Sequence, residues 1–343
     1  MARDVGRGLG EPPGGVRVVR ATGAVLEDAS RRLVESSSPG DGDAGRRFVS
    51  AARSQGVQLG CFFAALGDGG EVLESALAVP GAGRAAMFFV SQPADSAGER
   101  ALSAAVLAAC GDLEGMVLAQ ALLLPAEVRA ARVFEGAGFS RLASLGYLRW
   151  RSRRMRGGVS GGVWSVPAGW ESALSSGEVR DGDVVVRRLS SVRSGDGDRR
   201  VRAALAASYE GTLDCPELCR MRDPSDVLAS HRAVGEVDDR LWWLVERGEE
   251  PLGAVLWTPM RRSGTGLGSA ELVYMGLGPG LRGRGLGSKL LTLTASDLWE
   301  RGFGELTCAV DLSNTPARAM YERAGFRRYA ERVAFVLGLV DGV

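Results

Sequence analysis

The segment that decides the fold reads Glu271-Leu-Val-Tyr-Met-Gly-Leu-Gly-Pro-Gly-Leu-Arg-Gly-Arg-Gly-Leu-Gly-Ser288. It predicts an apolar strand, then a glycine-rich loop, then the start of a helix. The first N–H groups of a helix have no internal partner, and the helix dipole adds positive potential there, so such a loop is typical of a phosphate site. Glycines let the main chain approach phosphate oxygens closely, and Arg282 and Arg284 add cationic donors.

Two other interpretations of this loop stay open, and a third is excluded. Residues 278–283 formally match GxGxxG, the dinucleotide fingerprint, but they follow several predicted strands, and Pro279 removes one N–H donor. A glycine-rich turn without a ligand is the second interpretation. A Walker A loop is excluded, because no Gly-Lys-Ser/Thr follows.

A second block lies downstream and reads Asn314-x-x-Ala317-x-x-x-Tyr321-x-x-x-Gly325-Phe326. Together with Arg282-x-x-Gly285-x-Gly287 in the loop, it resembles the two signatures of the GNAT superfamily, the acyl-CoA-dependent N-acyltransferases. The resemblance covers residues 180–340 strongly and 16–150 weakly. It implies acetyl-CoA as co-substrate and no metal.

The resemblance also implies how the chain would hold coenzyme A. The backbone at 275–277 would pair with the pantetheine arm as an extra strand, and an N–H of Met275 or Leu277 would polarise the thioester carbonyl. The loop from Arg282 to Ser288 would hold the pyrophosphate, and Asn314 would contact CoA, cap its helix or do both. The implied contacts are Met275, Gly276, Leu277, Arg282, Gly283, Arg284, Gly285, Leu286, Gly287, Ser288, Asn314 and Ala317.

Two residues are candidates for proton transfer. Tyr321 matches the family's usual general acid, and a phenol suits a thiolate leaving group; the alternative is an aromatic side chain in the core. Glu271, on the strand before the loop, is the candidate base if burial raises its pKa; the alternative is an exposed glutamate at the strand end. Glu210 and Asp214 are further candidate bases, acting through water, and some family members use no dedicated base.

The acceptor amine is expected at the segment 208–219, between the first two helices of the C-terminal half. Glu210, Asp214 and Glu217 form an acidic cluster there that could hold an ammonium group. A solvated loop is the alternative.

The end of each half of the chain carries the same pattern. Residues 128–139 and 315–326 both predict an amphipathic helix ended by glycine and followed by a strand, and they lie 187 residues apart. The chain is therefore predicted to hold two tandem copies of one domain. At this shift the first copy has Phe134 for Tyr321, Glu127 for Asn314, Arg84 for Glu271, Asp95 for Arg282 and Arg100 for Gly287, and it keeps Gly98 for Gly285.

These replacements predict a degenerate N-terminal domain without a working CoA site, because a carboxylate would face the pyrophosphate. A tandem pair of this kind is similar in architecture to the mycothiol synthase family. The predicted fold is α/β, with a mixed, mostly antiparallel twisted sheet flanked by helices in each domain. The expected division is a tail (1–15), the degenerate domain (16–155), a Gly/Ser/Arg-rich linker (156–182) and the catalytic domain (183–343).

The composition sets further limits on function. A net charge of +1 over 343 residues gives no field that would favour nucleic acid or membrane binding. No segment has the length and hydropathy of a membrane span, and residues 1–15 lack the apolar stretch of a signal peptide. Five cysteines, an odd number, favour a reducing cytoplasm. Cys215, Cys219 and His231 lack both zinc spacing and a fourth ligand, and the lone histidine is expected at the surface.

The sequence therefore predicts a cytoplasmic N-acetyltransferase, monomeric or homodimeric, that transfers an acetyl group from acetyl-CoA to the primary amine of a small molecule in a ternary complex. Two alternatives stay open. One is a non-catalytic acyl-CoA-binding sensor or scaffold. The other is acetylation of a thiol precursor, as in the mycothiol synthase family.

Overall fold

A computed structural model describes residues 16–35, 38–152, 154–155, 158–159, 164–260 and 268–339. The predicted tail 1–15 lies outside these residues. The helices are α1 (Gly23–Val34), α2 (Ala44–Ser54), α3 (Ser96–Cys110), α4 (Val128–Gly136), α5 (Ser172–Ser176), α6 (Gly197–Tyr209), α7 (Pro216–Met221), α8 (Pro224–Ala233), α9 (Leu286–Glu300) and α10 (Thr315–Arg323). The strands are β1 (Arg17–Arg20), β2 (Cys61–Leu66), β3 (Val72–Gly81), β4 (Ala85–Val90), β5 (Leu118–Leu123), β6 (Ser140–Arg151), β7 (Arg154–Met155), β8 (Gly158–Val159), β9 (Glu178–Asp181), β10 (Val184–Arg188), β11 (Trp242–Arg247), β12 (Glu250–Met260), β13 (Gly268–Leu277), β14 (Phe303–Asp311) and β15 (Arg327–Gly338).

The chain forms two compact units. The first unit runs to Leu142 and also includes the chain from Arg332 onward. Its strands follow the order β1-β2-β3-β4-β5-β15, with β4 and β5 parallel and the other neighbours antiparallel. Its core contains Phe134, whose ring contacts those of Phe88 and Phe335.

The second unit is formed by Ala143–Glu331, and its sheet follows the order β9-β10-β11-β12-β13-β14-β6. Only β13 and β14 are parallel. Trp242, Trp243 and Trp257 are fully buried in its core. The Trp242 indole donates to the Trp257 carbonyl at 3.2 Å, and the Trp257 indole donates to the Thr294 hydroxyl at 3.0 Å, so two of the three buried N–H groups find partners. The α/β class and the mostly antiparallel mixed sheets predicted from the sequence are confirmed.

The units differ from the contiguous domains 16–155 and 183–343 at two strands. From Val333 onward β15 pairs with β5 in the first unit, whereas β6 from Leu145 pairs with β14 in the second. The sequence pattern predicts a strand from its alternation, but alternation does not reveal which sheet edge the strand joins. A division into contiguous segments therefore cannot represent these two units.

Part of the predicted linker 156–182 belongs to the second unit. Helix α5 and strand β9 lie within it, and β9 pairs with β10. Trp170 is only 2% exposed in the core of this unit. Residues 156–157 and 160–163 of the linker lie outside the described ranges. None of the helices in the described part of the chain combines the length and apolar character that a membrane crossing requires.

Candidate functional site

The second unit contains a fork between its two parallel strands. β13 and β14 pair from Gly268 with Phe303 as far as Leu272 with Cys308, and both strands then continue without pairing to each other. A cleft of about 520 Å³ opens there, and residues 272–277 line one side of it. The backbone of β13 beyond Leu272 can therefore pair with an extended ligand as an added strand would.

A β-bulge in β13 sets which side chains face each side of the fork. The register with β12 shifts between Leu272 and Tyr274, so that Val273 is the extra residue. As a result Glu271 and Tyr274 share one face of the sheet, whereas Leu272 and Met275 share the other. The Tyr274 hydroxyl lies 2.5 Å from that of Ser208 on α6, on the face opposite to α9.

The glycine loop leaves the start of α9 without a side-chain cap. Gly283 and Gly285 have φ of +73° and +75°, a left-handed conformation that glycine adopts without strain. Gly285 is the N-cap, the first turn carries no acidic residue, and the turn from Leu286 to Ser288 lines the cleft. Its unsatisfied N–H groups and the helix dipole form an anion site at the cleft.

The sequence-predicted CoA residues divide into two groups. Those that line the cleft are Met275, Gly276, Leu277, Arg282, Gly283, Gly285, Leu286, Gly287, Ser288, Asn314 and Ala317. Arg284 does not line it; this side chain is exposed, and its guanidinium lies 3.7 Å from the Asp183 carboxylate. Gly287 allows close packing, because a Cβ there would lie 3.3 Å from the sulfur of Met320 on α10.

Helix α10 carries Tyr321 into the cleft. The Asn314 side chain caps this helix by accepting the Ala317 N–H at 3.2 Å. Tyr321 is 6% exposed, and its ring packs edge-on against Phe326 at 5.7 Å. Burial raises the pKa of the Tyr321 phenol well above its ordinary value, so the phenol keeps its proton at neutral pH.

The sequence-predicted carboxylates occupy different places. Glu271 lies directly before the fork, and burial raises its pKa. Asp214 faces the cleft, where its Oδ1 accepts the Asp311 N–H at 2.9 Å; desolvation by the surrounding protein, together with the nearby Asp311 carboxylate, raises its pKa although part of its surface is open to the cleft. Glu210 and Glu217 are exposed and do not line the cleft. Of the three predicted acceptor carboxylates, only Asp214 lines the cleft.

An aromatic wall on the α6 side of the cleft was missed by sequence reasoning. Tyr209 and Tyr274 line the cleft with their rings 6.3 Å apart, and the ring of His231 on α8 lies 5.7 Å from that of Tyr274. His231 is half-buried and not the surface residue expected, and burial lowers its pKa to about 4. No sequence signal could have identified it, because the bulge in β13 that turns Tyr274 to this face is visible only in the structure. In the described ranges, no group of three or more His, Cys, Asp or Glu side chains is placed to hold a metal ion.

The first unit has a different arrangement at the corresponding helix, α3. Asp95 caps this helix by accepting the Gly98 N–H at 2.8 Å, and Glu99 lies in its first turn. The buried Glu74 carboxylate lies close behind, 2.9 Å from where a Cβ on Gly98 would stand. Phe134, the counterpart of Tyr321, is fully buried. These carboxylates occupy or repel the anion position, which supports the prediction of a degenerate unit.

Comparisons with known proteins agree with this geometry. Residues 206–326 match the sequence profile described as the Acetyltransferase (GNAT) family. The chain is 31% identical over 161 residues to a mycothiol acetyltransferase of Clavibacter sepedonicus, with 43% of this chain and 51% of the relative covered. It is 30% identical over 177 residues to that of a Nocardioides species, with 48% and 56% covered. The chain thus spans about half the length of these curated relatives.

A solved structure shares the fold over nearly the whole chain. The GCN5-related N-acetyltransferase from Sphaerobacter thermophilus superimposes with a TM-score of 0.55 at 17% identity. The match covers 96% of this chain and 98% of that protein. At this identity the likeness shows the fold alone.

Proposed function

We propose, from the match of residues 206–326 to the GNAT acetyltransferase family profile, that this chain is an N-acetyltransferase that transfers an acetyl group from acetyl-CoA to the primary amine of a small molecule. One observation carries the proposal: the fork, the uncapped start of α9 and the buried phenol of Tyr321 meet in a single cleft. These are the parts needed to hold a thioester chain, to bind its pyrophosphate and to protonate its leaving group.

The donor would bind along β13 and end at α9. Pantetheine is an amide-containing chain, so its amides can pair with the free backbone edge at 273–277. An N–H of Met275 or Leu277 would then polarise the thioester carbonyl. The pyrophosphate would lie at the N–H groups of the first turn of α9, where Gly283 and Gly285 keep the main chain open.

Transfer requires two proton movements. The amine nitrogen attacks the thioester carbonyl carbon and forms the C–N bond, the C–S bond breaks, and the departing thiolate takes the proton of the Tyr321 hydroxyl. The proton lost by the amine would pass to Glu271 through water, because Glu271 lies directly before the fork and does not itself line the cleft.

A second candidate acceptor is the amine of a thiol precursor, because the relatives with 30–31% identity are named mycothiol acetyltransferases. A non-catalytic acyl-CoA sensor is less well supported, since such a protein would have no use for a proton donor at the leaving group. The free cysteines 61, 110, 215, 219 and 308 agree with the proposed cytoplasmic location.

Replacing Ser288 by aspartate tests the donor site without weakening the helix. A carboxylate in the first turn of α9 interacts favourably with the helix dipole, by about 0.3–1 kcal/mol, so the melting temperature should hold or rise. The same carboxylate would face the pyrophosphate. We therefore expect Ser288→Asp to weaken acetyl-CoA binding at least about tenfold by isothermal titration, which is about 1.4 kcal/mol.

The matched control is Ser172→Asp, which adds the same charge at the exposed first turn of α5, outside the cleft. It should bind acetyl-CoA as the wild type does. If the wild type and both variants bind acetyl-CoA with equal affinity, the pyrophosphate does not bind at the start of α9. If the wild type binds acetyl-CoA one to one, a panel of primary amines that includes amines bearing a thiol would identify the acceptor class. A wild type that binds no acetyl-CoA would end the enzyme proposal.

A further inference from the structure

The guanidinium of Arg282 is engaged with the protein's own backbone. Its Nε donates to the Leu277 carbonyl, its Nη1 to the Gly211 carbonyl and its Nη2 to the Ser208 carbonyl, each at 2.7 Å. All three nitrogens of the guanidinium group therefore donate hydrogen bonds, which use three of the five N–H donors of the side chain. The sequence pattern had suggested a phosphate ligand at this position, and the geometry assigns the side chain to another task.

These three carbonyls belong to two different parts of the cleft. Leu277 ends β13, the strand that offers its edge to the donor. Ser208 is in the last turn of α6, and Gly211 follows the end of that helix, whose final carbonyls have no helical partner. A cation at this end also complements the helix dipole.

The segment held in this way carries the acceptor side of the cleft. Ser208, Tyr209, Gly211 and Thr212 line the cleft in succession, and the Ser208 hydroxyl contacts that of Tyr274. Gly211 has φ of +59°, and a Cβ there would lie 3.4 Å from Arg282 Nη1, so the turn fits closely around the guanidinium.

We propose that Arg282 is a positioning residue that fixes the acceptor wall at 208–212 to the donor strand and the glycine loop. This inference rests on the proposed function, since it assumes that the cleft accepts a donor at β13 and an amine beside α6. Only a planar guanidinium group can donate to three carbonyls in these fixed directions, and a lysine ammonium cannot make the same set of hydrogen bonds. Arg282→Lys therefore keeps the positive charge near the proposed pyrophosphate site but loses the hydrogen bonds that hold segment 208–212 to β13.

The test compares Arg282→Lys and Arg282→Gln with Arg284→Gln, which removes an equal charge from the same loop at a side chain outside the cleft. Hydrogen–deuterium exchange of peptides covering 208–212 is measured without acetyl-CoA. We expect exchange to accelerate about tenfold or more in both Arg282 variants, since two charged hydrogen bonds to this segment are lost. Arg284→Gln should exchange at the wild-type rate, and melting curves show that each variant is folded.

Steady-state kinetics with an amine from the panel distinguishes a specific effect on the position of segment 208–212 from a general destabilisation of the cleft. In Arg282→Lys the KM for the amine should rise about tenfold, whereas the acetyl-CoA Kd and kcat stay within about threefold. Wild-type exchange at 208–212 in both Arg282 variants would overturn the proposal. So would an Arg282→Lys enzyme whose acetyl-CoA Kd rises while its amine KM does not, because Arg282 would then be a phosphate contact. The exchange measurement needs no substrate, so it can be interpreted even if the wild type fails to bind acetyl-CoA.

Discussion

Replacing Tyr321 by phenylalanine should lower kcat by about 10²- to 10³-fold, within the range that a positioned general acid contributes. The thiolate of CoA is the leaving group, and without a proton donor beside it the C–S bond breaks to give a charge in a partly buried cleft. The phenol can act there because it lines the cleft and is protonated at neutral pH. The ring is retained in Tyr321→Phe, so its contact with Phe326 and the packing of α10 should persist.

Acetyl-CoA affinity is the control within the same variant, and it should change less than about threefold, since the lost group acts on the transition state. Tyr329→Phe provides a second control, because Tyr329 is 49% exposed and does not line the cleft. It should turn over as the wild type does. Full turnover by Tyr321→Phe would show that the thiolate leaves unprotonated or takes its proton from water.

The glycine loop and the start of α10 could be predicted from the sequence because their signals are local. The glycines at 283 and 285 indicate the left-handed backbone that the loop requires, and φ is near +75° at both in the structure. Asn314 preceding Thr315-Pro316 reports a helix start, and its side chain does cap α10. Each of these features depends on a few adjacent residues, so a short pattern contains the physical cause of the geometry.

The α6 side of the cleft could not be predicted in the same way, because it depends on contacts between distant segments. Tyr209 and Tyr274 meet across 65 positions of sequence, and a bulge at Val273 decides the face on which Tyr274 lies. The acidic residues of 208–219 suggested a cluster, yet Glu210 follows the end of α6 with an extended backbone, and only Asp214 turns into the cleft. Composition of a loop does not fix the direction of its side chains.

Contacts between distant segments also decide which strands β6 and β15 pair with, and which groups Arg282 contacts. The strands at 145–151 and 332–338 were both predictable as strands, but their partners are chosen by sheet edges elsewhere in the chain. Arg282 matches a signature position, and a signature reports a residue type without its hydrogen-bond partners. The three backbone carbonyls that it reaches, two of them about seventy positions away, are visible only in the structure.

Glu271→Gln should lower kcat by about 10²-fold and should remove one ionisation from the pH dependence of kcat/KM for the amine. Burial penalises the carboxylate and raises the pKa of Glu271 above its ordinary value of 4.5. A base acts only when it is unprotonated, so wild-type activity should rise with pH through this raised pKa. Glutamine cannot titrate, and the variant should keep only the rise that belongs to the amine itself.

Asp214→Asn makes the same change of charge at a carboxylate that lines the cleft, so it separates the two candidate bases. We expect Asp214→Asn to keep the ionisation that Glu271→Gln loses. The reverse result would transfer the role of base from Glu271 to Asp214. Stability gives an independent check on Glu271→Gln: a raised pKa means that the folded state favours the protonated form, so the carboxylate destabilises the fold increasingly as pH rises through that pKa. At neutral pH the neutral amide should therefore leave the melting temperature unchanged or higher, and a loss of activity could not be attributed to unfolding.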